Sequence, residues 1–180
     1  FSFGNTWKCV EFPRSKEHLS SHLLELSKLQ WFFILLRLIE FFETFFFILR
    51  KKFNQVSMLH VYHHISTVAL LWIFLKYSGG LMEIFIGVIN SLVHVIMYSY
   101  YFFFSFQKFK VFTTFIKPCI TIIQIVQLFF MFGHCLAAIF EDCNTVKSIF
   151  VLQIINISLL LYLFVQFYVR NFMLQIKKKN

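Results

Sequence analysis

The sequence predicts an all-α fold, a polytopic membrane helix bundle. Three observations carry that prediction. Of the 180 residues, 59% are hydrophobic and only 14% are charged, too few to coat a soluble domain of this size. The apolar residues run in stretches of about 20, the length a bilayer crossing needs. The basic residues gather at the ends of those stretches, in Arg50-Lys51-Lys52, Lys108 with Lys110, and Lys177-Lys178-Lys179. That is the pattern of cytosolic flanks facing anionic head groups. The net charge of +9 therefore points to a lipid bilayer as partner and not to nucleic acid.

Five spans are expected, over Lys28–Leu49, Val56–Lys76, Leu81–Phe104, Phe112–Phe140 and Ser148–Met173. The first is interrupted by Arg37, Glu40 and Glu43, which are costly in lipid and should turn inward. Pro118 is expected near the start of the fourth, where backbone donors are unpaired in any case. The division that follows is a luminal segment over 1–27, a transmembrane domain over 28–176 and a cytosolic basic tail over 177–180. No basic-then-apolar leader opens the chain, and it lacks an initiator Met, so a fragment of a longer chain is expected.

Placing the C-terminus in the cytosol puts most of the basic residues on that side. The same orientation puts Cys9 and Cys143 together on the luminal side, where disulfides persist. A Cys9–Cys143 bridge would tie the opening segment to the last luminal loop; two free thiols are the alternative.

Depth is the most informative property of the polar residues. His60, His63 and His64 share one helix face, by i, i+3, i+4 spacing, roughly 6–12 Å inside the cytosolic end of the second span. On the antiparallel third span, Asn90, His94, Met97, Tyr98 and Tyr101 form a second stripe, with His94 about 15 Å from its cytosolic end. Thr121, Gln124 and Gln127 recur at similar depth in the fourth, and Glu40 and Glu43 in the first. Gln and Asn alone are explained by interhelical hydrogen bonds. Several histidines at one depth are better read as a functional site.

Two chemistries use such histidines. A di-iron desaturase or hydroxylase needs several boxes of ligands. His18 and His22 form an HxxxH, but they precede the first span on the opposite side of the membrane from His60, His63 and His64. A mononuclear zinc site made by His60, His63, His64 and His94 fits the ligand types. Imidazole itself is the other route, as nucleophile or general base near neutral pH. An acyl thioester is a suitable target, with its chain held between helices and its coenzyme A phosphates at the basic cytosolic mouth.

Four ordered motifs then resemble one family. Arg37-Leu-Ile-Glu40-Phe-Phe-Glu43-Thr44, followed by Leu49-Arg50-Lys51-Lys52, is similar to KxxExxDT…LRKK. Gln55-Val-Ser-Met-Leu59-His60-Val-Tyr62-His63-His64 is similar to QxxxLHVYHH. Asn90-Ser-Leu-Val93-His94-Val-Ile-Met97-Tyr98-Ser-Tyr100-Tyr101 fits NxxVHxxMYxYY, and Thr121-Ile-Ile-Gln124-Ile-Val-Gln127 fits TxxQxxQ. Together they resemble the ELO family of very-long-chain fatty acid elongases.

The resemblance implies a 3-oxoacyl-CoA synthase, an acyltransferase of the endoplasmic reticulum membrane. It would condense a long-chain acyl-CoA with malonyl-CoA, releasing CO2 and CoA, without a further cofactor or resident metal. It would work beside the other enzymes of the elongation cycle. The implied catalytic residues are His63 and His94, with His60 and His64 tuning them. The substrate-binding candidates are Asn90, Tyr98, Tyr101, Gln124, Gln127, Glu40, Glu43, Lys51, Lys52 and Lys117. The sequence departs from the family pattern in Arg37 for Lys and Glu43 for Asp. It also carries about five spans where the family has seven, so an N-terminally truncated member is expected, with a catalytically incomplete fragment as the alternative reading. The closing Lys177-Lys178-Lys179-Asn180 fits a dilysine retrieval signal.

Overall fold

The computed structural model describes residues 21–51, 56–77, 81–106, 110–140 and 147–174. Every regular element among them is helical: α1 (Ser21–Leu49), α2 (Met58–Tyr77), α3 (Leu81–Phe104), α4 (Lys110–Phe140) and α5 (Lys147–Tyr168), the last running into a π-helical turn at Val169–Met173. α2, most of α3, most of α4, and α5 with its π turn are long and apolar enough to cross a membrane. α1 has the length for a fifth crossing but not the apolarity, because it carries Arg37, Glu40 and Glu43. Its inward stripe is Gln30, Ile34 and Arg37, spaced i, i+4, i+7, so its charge is turned toward the other helices. The outer faces of all five helices are apolar, with residues such as Phe32, Ile39, Leu92, Phe115 and Ile155 exposed. In a bilayer those side chains meet acyl chains, which costs nothing.

The closely packed pairs are α1 with α2, α2 with α5, α5 with α4, and α4 with α3, and α3 meets α1 more sparsely. The five helices therefore close a ring, in the order α1–α2–α5–α4–α3. Edge contacts between aromatic rings bolt neighbours together: Trp31 to Trp72 between α1 and α2, and Phe74 to Phe150 between α2 and α5. Phe85 and His134 join α3 to α4, with ring centres 4.7 Å apart. The apolar core lies where α2, α4 and α5 converge, around Phe150, Ile157, Cys135 and Ala138, each essentially inaccessible.

Two local features differ from the sequence expectation. α4 begins at Lys110, so Pro118 lies inside the helix rather than in its first turn. The first-turn exemption does not apply; Pro118 removes one internal backbone hydrogen bond, a loss that packed membrane helices absorb. α1 begins at Ser21, before the expected Lys28. It ends with Lys51 in the left-handed region (φ 55°), where the Lys51 N–H bonds the Ile48 carbonyl at 3.0 Å.

Gly87 on α3 faces the ring of Phe33 on α1. A Cβ built there would meet the ring at 3.6 Å, an ordinary van der Waals distance. Glycine in a helix interior costs about 1 kcal/mol relative to alanine. Gly87→Ala is therefore expected to raise the melting temperature in detergent modestly, and a lower melting temperature would contradict the packing described.

Candidate active site

The ring of helices surrounds a cavity of about 80 Å3, and every helix contributes to its wall. Phe33 and Arg37 come from α1, His63 and Thr67 from α2, Gly87 and Asn90 from α3, Met131 from α4, and Gln153 and Asn156 from α5. Most of the remaining lining is aliphatic. The polar groups stand out against that background because each must be matched in the absence of water.

One network joins three helices. Arg37 Nη1 binds both carboxylate oxygens of Glu40, at 2.6 and 2.9 Å, one helical turn away. The other guanidinium nitrogen donates to Asn90 Oδ1 on α3. Nη1 also lies 3.3–3.4 Å from the ring nitrogens of His94. Glu40 in turn lies 3.6 Å from His94 Nδ1 and 3.7 Å from His64 Nδ1. The Arg37 side chain is 9% accessible and that of Glu40 16%, so the pair is shielded and the planar guanidinium fork suits it. Arg37 and Glu40 therefore position histidines on α2 and α3.

The four histidines differ in how they are held. His60 Nε2 hydrogen-bonds Thr44 Oγ1 on α1 at 2.9 Å. His64 is buried, edge-on to His60 with ring centres 4.5 Å apart and beside Phe41. His94 sits against the Arg37–Glu40 pair and near Tyr98, with ring centres 5.9 Å apart. His63 is the one that lines the cavity. It stacks on His94, with ring centres 6.0 Å apart and planes 21° from parallel. Among the described residues its ring nitrogens make no hydrogen bond, while Thr67 Oγ1 anchors its backbone by donating to the His63 carbonyl at 2.7 Å. Among the described residues no group of three His, Cys, Asp or Glu side chains is arranged to hold a metal ion.

The other candidates fall in different places. Gln124 reaches from α4 to α3, donating to Met97 Sδ at 3.4 Å, and Gln127 donates to Met131 Sδ at 3.3 Å. These bonds go to sulfur and not to the histidine network. Tyr101 and Lys117 are exposed, and so is Lys51. The Glu43 side chain, Lys52, His18 and the proposed Cys9–Cys143 pair lie outside the described residues; Cys119 and Cys135 are free thiols.

The residue types alone did not single out Gln153 and Asn156 on α5. Both are 7% exposed and both line the cavity. Tyr62 Oη donates to Asn156 Oδ1 at 2.9 Å. Their i, i+3 spacing inside a largely apolar span was the available signal.

A family model described as the GNS1/SUR4 family, ELO, matches residues 3–180. The chain belongs to this family. Among the ELO relatives, very long chain fatty acid elongase 4 of Homo sapiens is 35% identical over 172 residues, covering 96% of this chain and 54% of the relative. The Mus musculus protein of the same name is 37% identical over 142 residues, covering 79% of this chain and 46% of the relative. Very long chain fatty acid elongase 2 of Mus musculus is 32% identical over 157 residues, covering 87% and 53%. The chain thus spans about half the length of these ELO proteins.

Proposed function

We propose that this ELO chain catalyses the condensing step of fatty acid elongation, joining a long-chain acyl-CoA to malonyl-CoA through an acyl-imidazole at His63. The observation that carries this reading is the position of His63. Its imidazole lines an intramembrane cavity with no hydrogen bond among the described residues, while the histidines around it are held by Thr44 or lie against Arg37 and Glu40. A neutral, unencumbered imidazole is a competent nucleophile toward a thioester.

The chemistry balances with the two thioesters alone. A His63 ring nitrogen attacks the acyl carbonyl carbon; the N–C bond forms and the C–S bond breaks. The imidazole proton leaves with the thiolate, giving CoA. Malonyl-CoA then loses CO2, and the resulting enolate carbon attacks the acyl carbon. A C–C bond forms, the C–N bond breaks, and one proton from solution restores the neutral imidazole. The product is 3-oxoacyl-CoA.

The neighbouring groups suit the charges that develop. Asn90 Oδ1 is occupied by Arg37, which leaves Asn90 Nδ2 to donate to an oxyanion. His94, stacked on His63, is placed to assist proton transfer. Tyr98, Gln124 and Gln127 line the same depth, and Lys51, Lys52 and Lys117 supply positive charge toward coenzyme A phosphates. The basic flanks favour a cytosolic C-terminus, and the chain would act in the endoplasmic reticulum membrane beside the other enzymes of the cycle.

The test is direct. Membranes containing the chain, given a long-chain acyl-CoA and malonyl-CoA labelled in its methylene carbon, should form labelled 3-oxoacyl-CoA and CO2 in equal amounts. Release of CoA without a new carbon–carbon bond would contradict the reading.

A further inference from the structure

The α5 wall of the cavity carries two amides that the condensation mechanism does not use. Gln153 and Asn156 lie one turn apart, each 7% exposed. Gln153 Oε1 is buried with no hydrogen-bond partner among the described residues. Such a group is costly in an apolar setting, by an amount comparable to a lost hydrogen bond. Asn156 is different. Tyr62 Oη donates to its Oδ1 at 2.9 Å, which fixes the amide and leaves Nδ2 as the available group. The site therefore offers one acceptor in need of a donor and, a turn away, one donor in need of an acceptor.

A carbonyl oxygen would satisfy only the donor, and an ammonium only the acceptor. A hydroxyl satisfies both. The surrounding wall is made by Leu70, Phe74, Ile86, Leu128 and Ile157, a lining for methylene groups. A saturated chain filling this space would expel any water and leave Gln153 Oε1 without a donor and Asn156 Nδ2 without an acceptor. A chain with a hydroxyl at the right carbon would match them in place.

We propose that Gln153 and Asn156 form a hydroxyl-binding subsite that favours hydroxylated acyl chains, with Tyr62 as the positioning residue for Asn156. The inference rests on the acyl-CoA reading above for the source of the chain. It makes the α5 amides specificity-determining rather than catalytic.

The experiment compares stearoyl-CoA with a series of monohydroxystearoyl-CoAs, the hydroxyl moved along the chain. Binding is measured by competition on the 180-residue chain in lipid nanodiscs with malonyl-CoA withheld, and condensation is measured separately with malonyl-CoA present. The expected result is that one hydroxyl position binds about tenfold tighter than stearoyl-CoA, the equivalent of one well-made hydrogen bond. Gln153→Met, nearly isosteric, should tighten stearoyl-CoA and erase the preference. Tyr62→Phe should reduce the preference at that one hydroxyl position and leave the ranking of the other positions as it was, an effect that lost packing alone would not give. Equal binding of all positions by the unaltered protein, as expected if the amides hold only water, would overturn the proposal. So would a preference that survives Gln153→Met. A hydroxyl preference in binding without condensation would support the subsite while removing the catalytic reading. Condensation without any preference would do the reverse.

Discussion

His63→Ala is expected to lower condensation by on the order of 10^4-fold or more, with acyl-CoA binding little changed. Removal of a nucleophile eliminates a covalent route that neighbouring groups cannot replace. Binding should survive because the apolar wall that would hold the chain, Leu70, Phe74, Ile86, Leu128 and Ile157, is untouched, and Thr67 bonds to the His63 backbone carbonyl, which alanine retains. His94→Ala should cost less, about 10^2–10^4-fold, the range for a general acid or base. The ordering matters more than either value. Equal losses would mean that the two stacked rings share the covalent role. A larger loss at His94 would move the nucleophile to α3. Rates from single-turnover mixing with malonyl-CoA would give the comparison free of product release.

The second large effect is on stability. Arg37→Met leaves the Glu40 carboxylate shielded between α1, α2 and α3 without its cation. Breaking a buried pair from one side costs about 3–5 kcal/mol. Asn90 would lose its guanidinium partner as well. Arg37→Lys keeps the charge but cannot span Glu40, Asn90 and His94 at once, because an ammonium is a point donor and the guanidinium a fork. A loss of about 1 kcal/mol is expected there. The double change Arg37→Met with Glu40→Met should recover most of the stability and none of the histidine positioning. Melting in detergent micelles checks the series. An Arg37→Met protein as stable as the parent would show that the pair does not hold α1 to α3.

That pair also illustrates what the sequence made legible. Charges inside a membrane span have to face inward, so Arg37 and Glu40 could be assigned to the interior from their types and depth alone. The shared face of His60, His63 and His64 follows from helix geometry, and the matching depth of His94 on an antiparallel neighbour follows from the short connector. The lateral order of the helices was not legible. Short connectors favour consecutive neighbours, and α3 does pack on α4, yet among the described residues α2 packs closely on α5 and not on α3. That choice depends on how Phe74 meets Phe150 and how Phe85 meets His134, which is a property of shapes and not of periodicity. The α4 glutamines show the same limit from the other side. Their partners are methionine sulfurs, which polarity patterns do not single out. Gln153 and Asn156 escaped because an isolated amide in an apolar helix ordinarily pairs with a neighbouring helix. Asn156 does so with Tyr62; Gln153 Oε1 does not, among the described residues, and only the packed structure separates the two.

The roles of the four histidines also depend on the structure. Sequence spacing treats His60, His63 and His64 as equivalent members of one face. Packing does not. Thr44 holds His60, Glu40 lies beside His64 and His94, and His63 is left to line the cavity.

The central claim is that His63 takes up the acyl group, and it is tested most directly with malonyl-CoA withheld. The chain is incubated in membranes with a long-chain acyl-CoA alone, quenched and mapped by peptide mass spectrometry. The account predicts the acyl mass on the peptide containing His63, its loss in His63→Ala, and its disappearance when malonyl-CoA is then added. An acyl group found on another residue, or condensation that proceeds normally in His63→Ala, would contradict it.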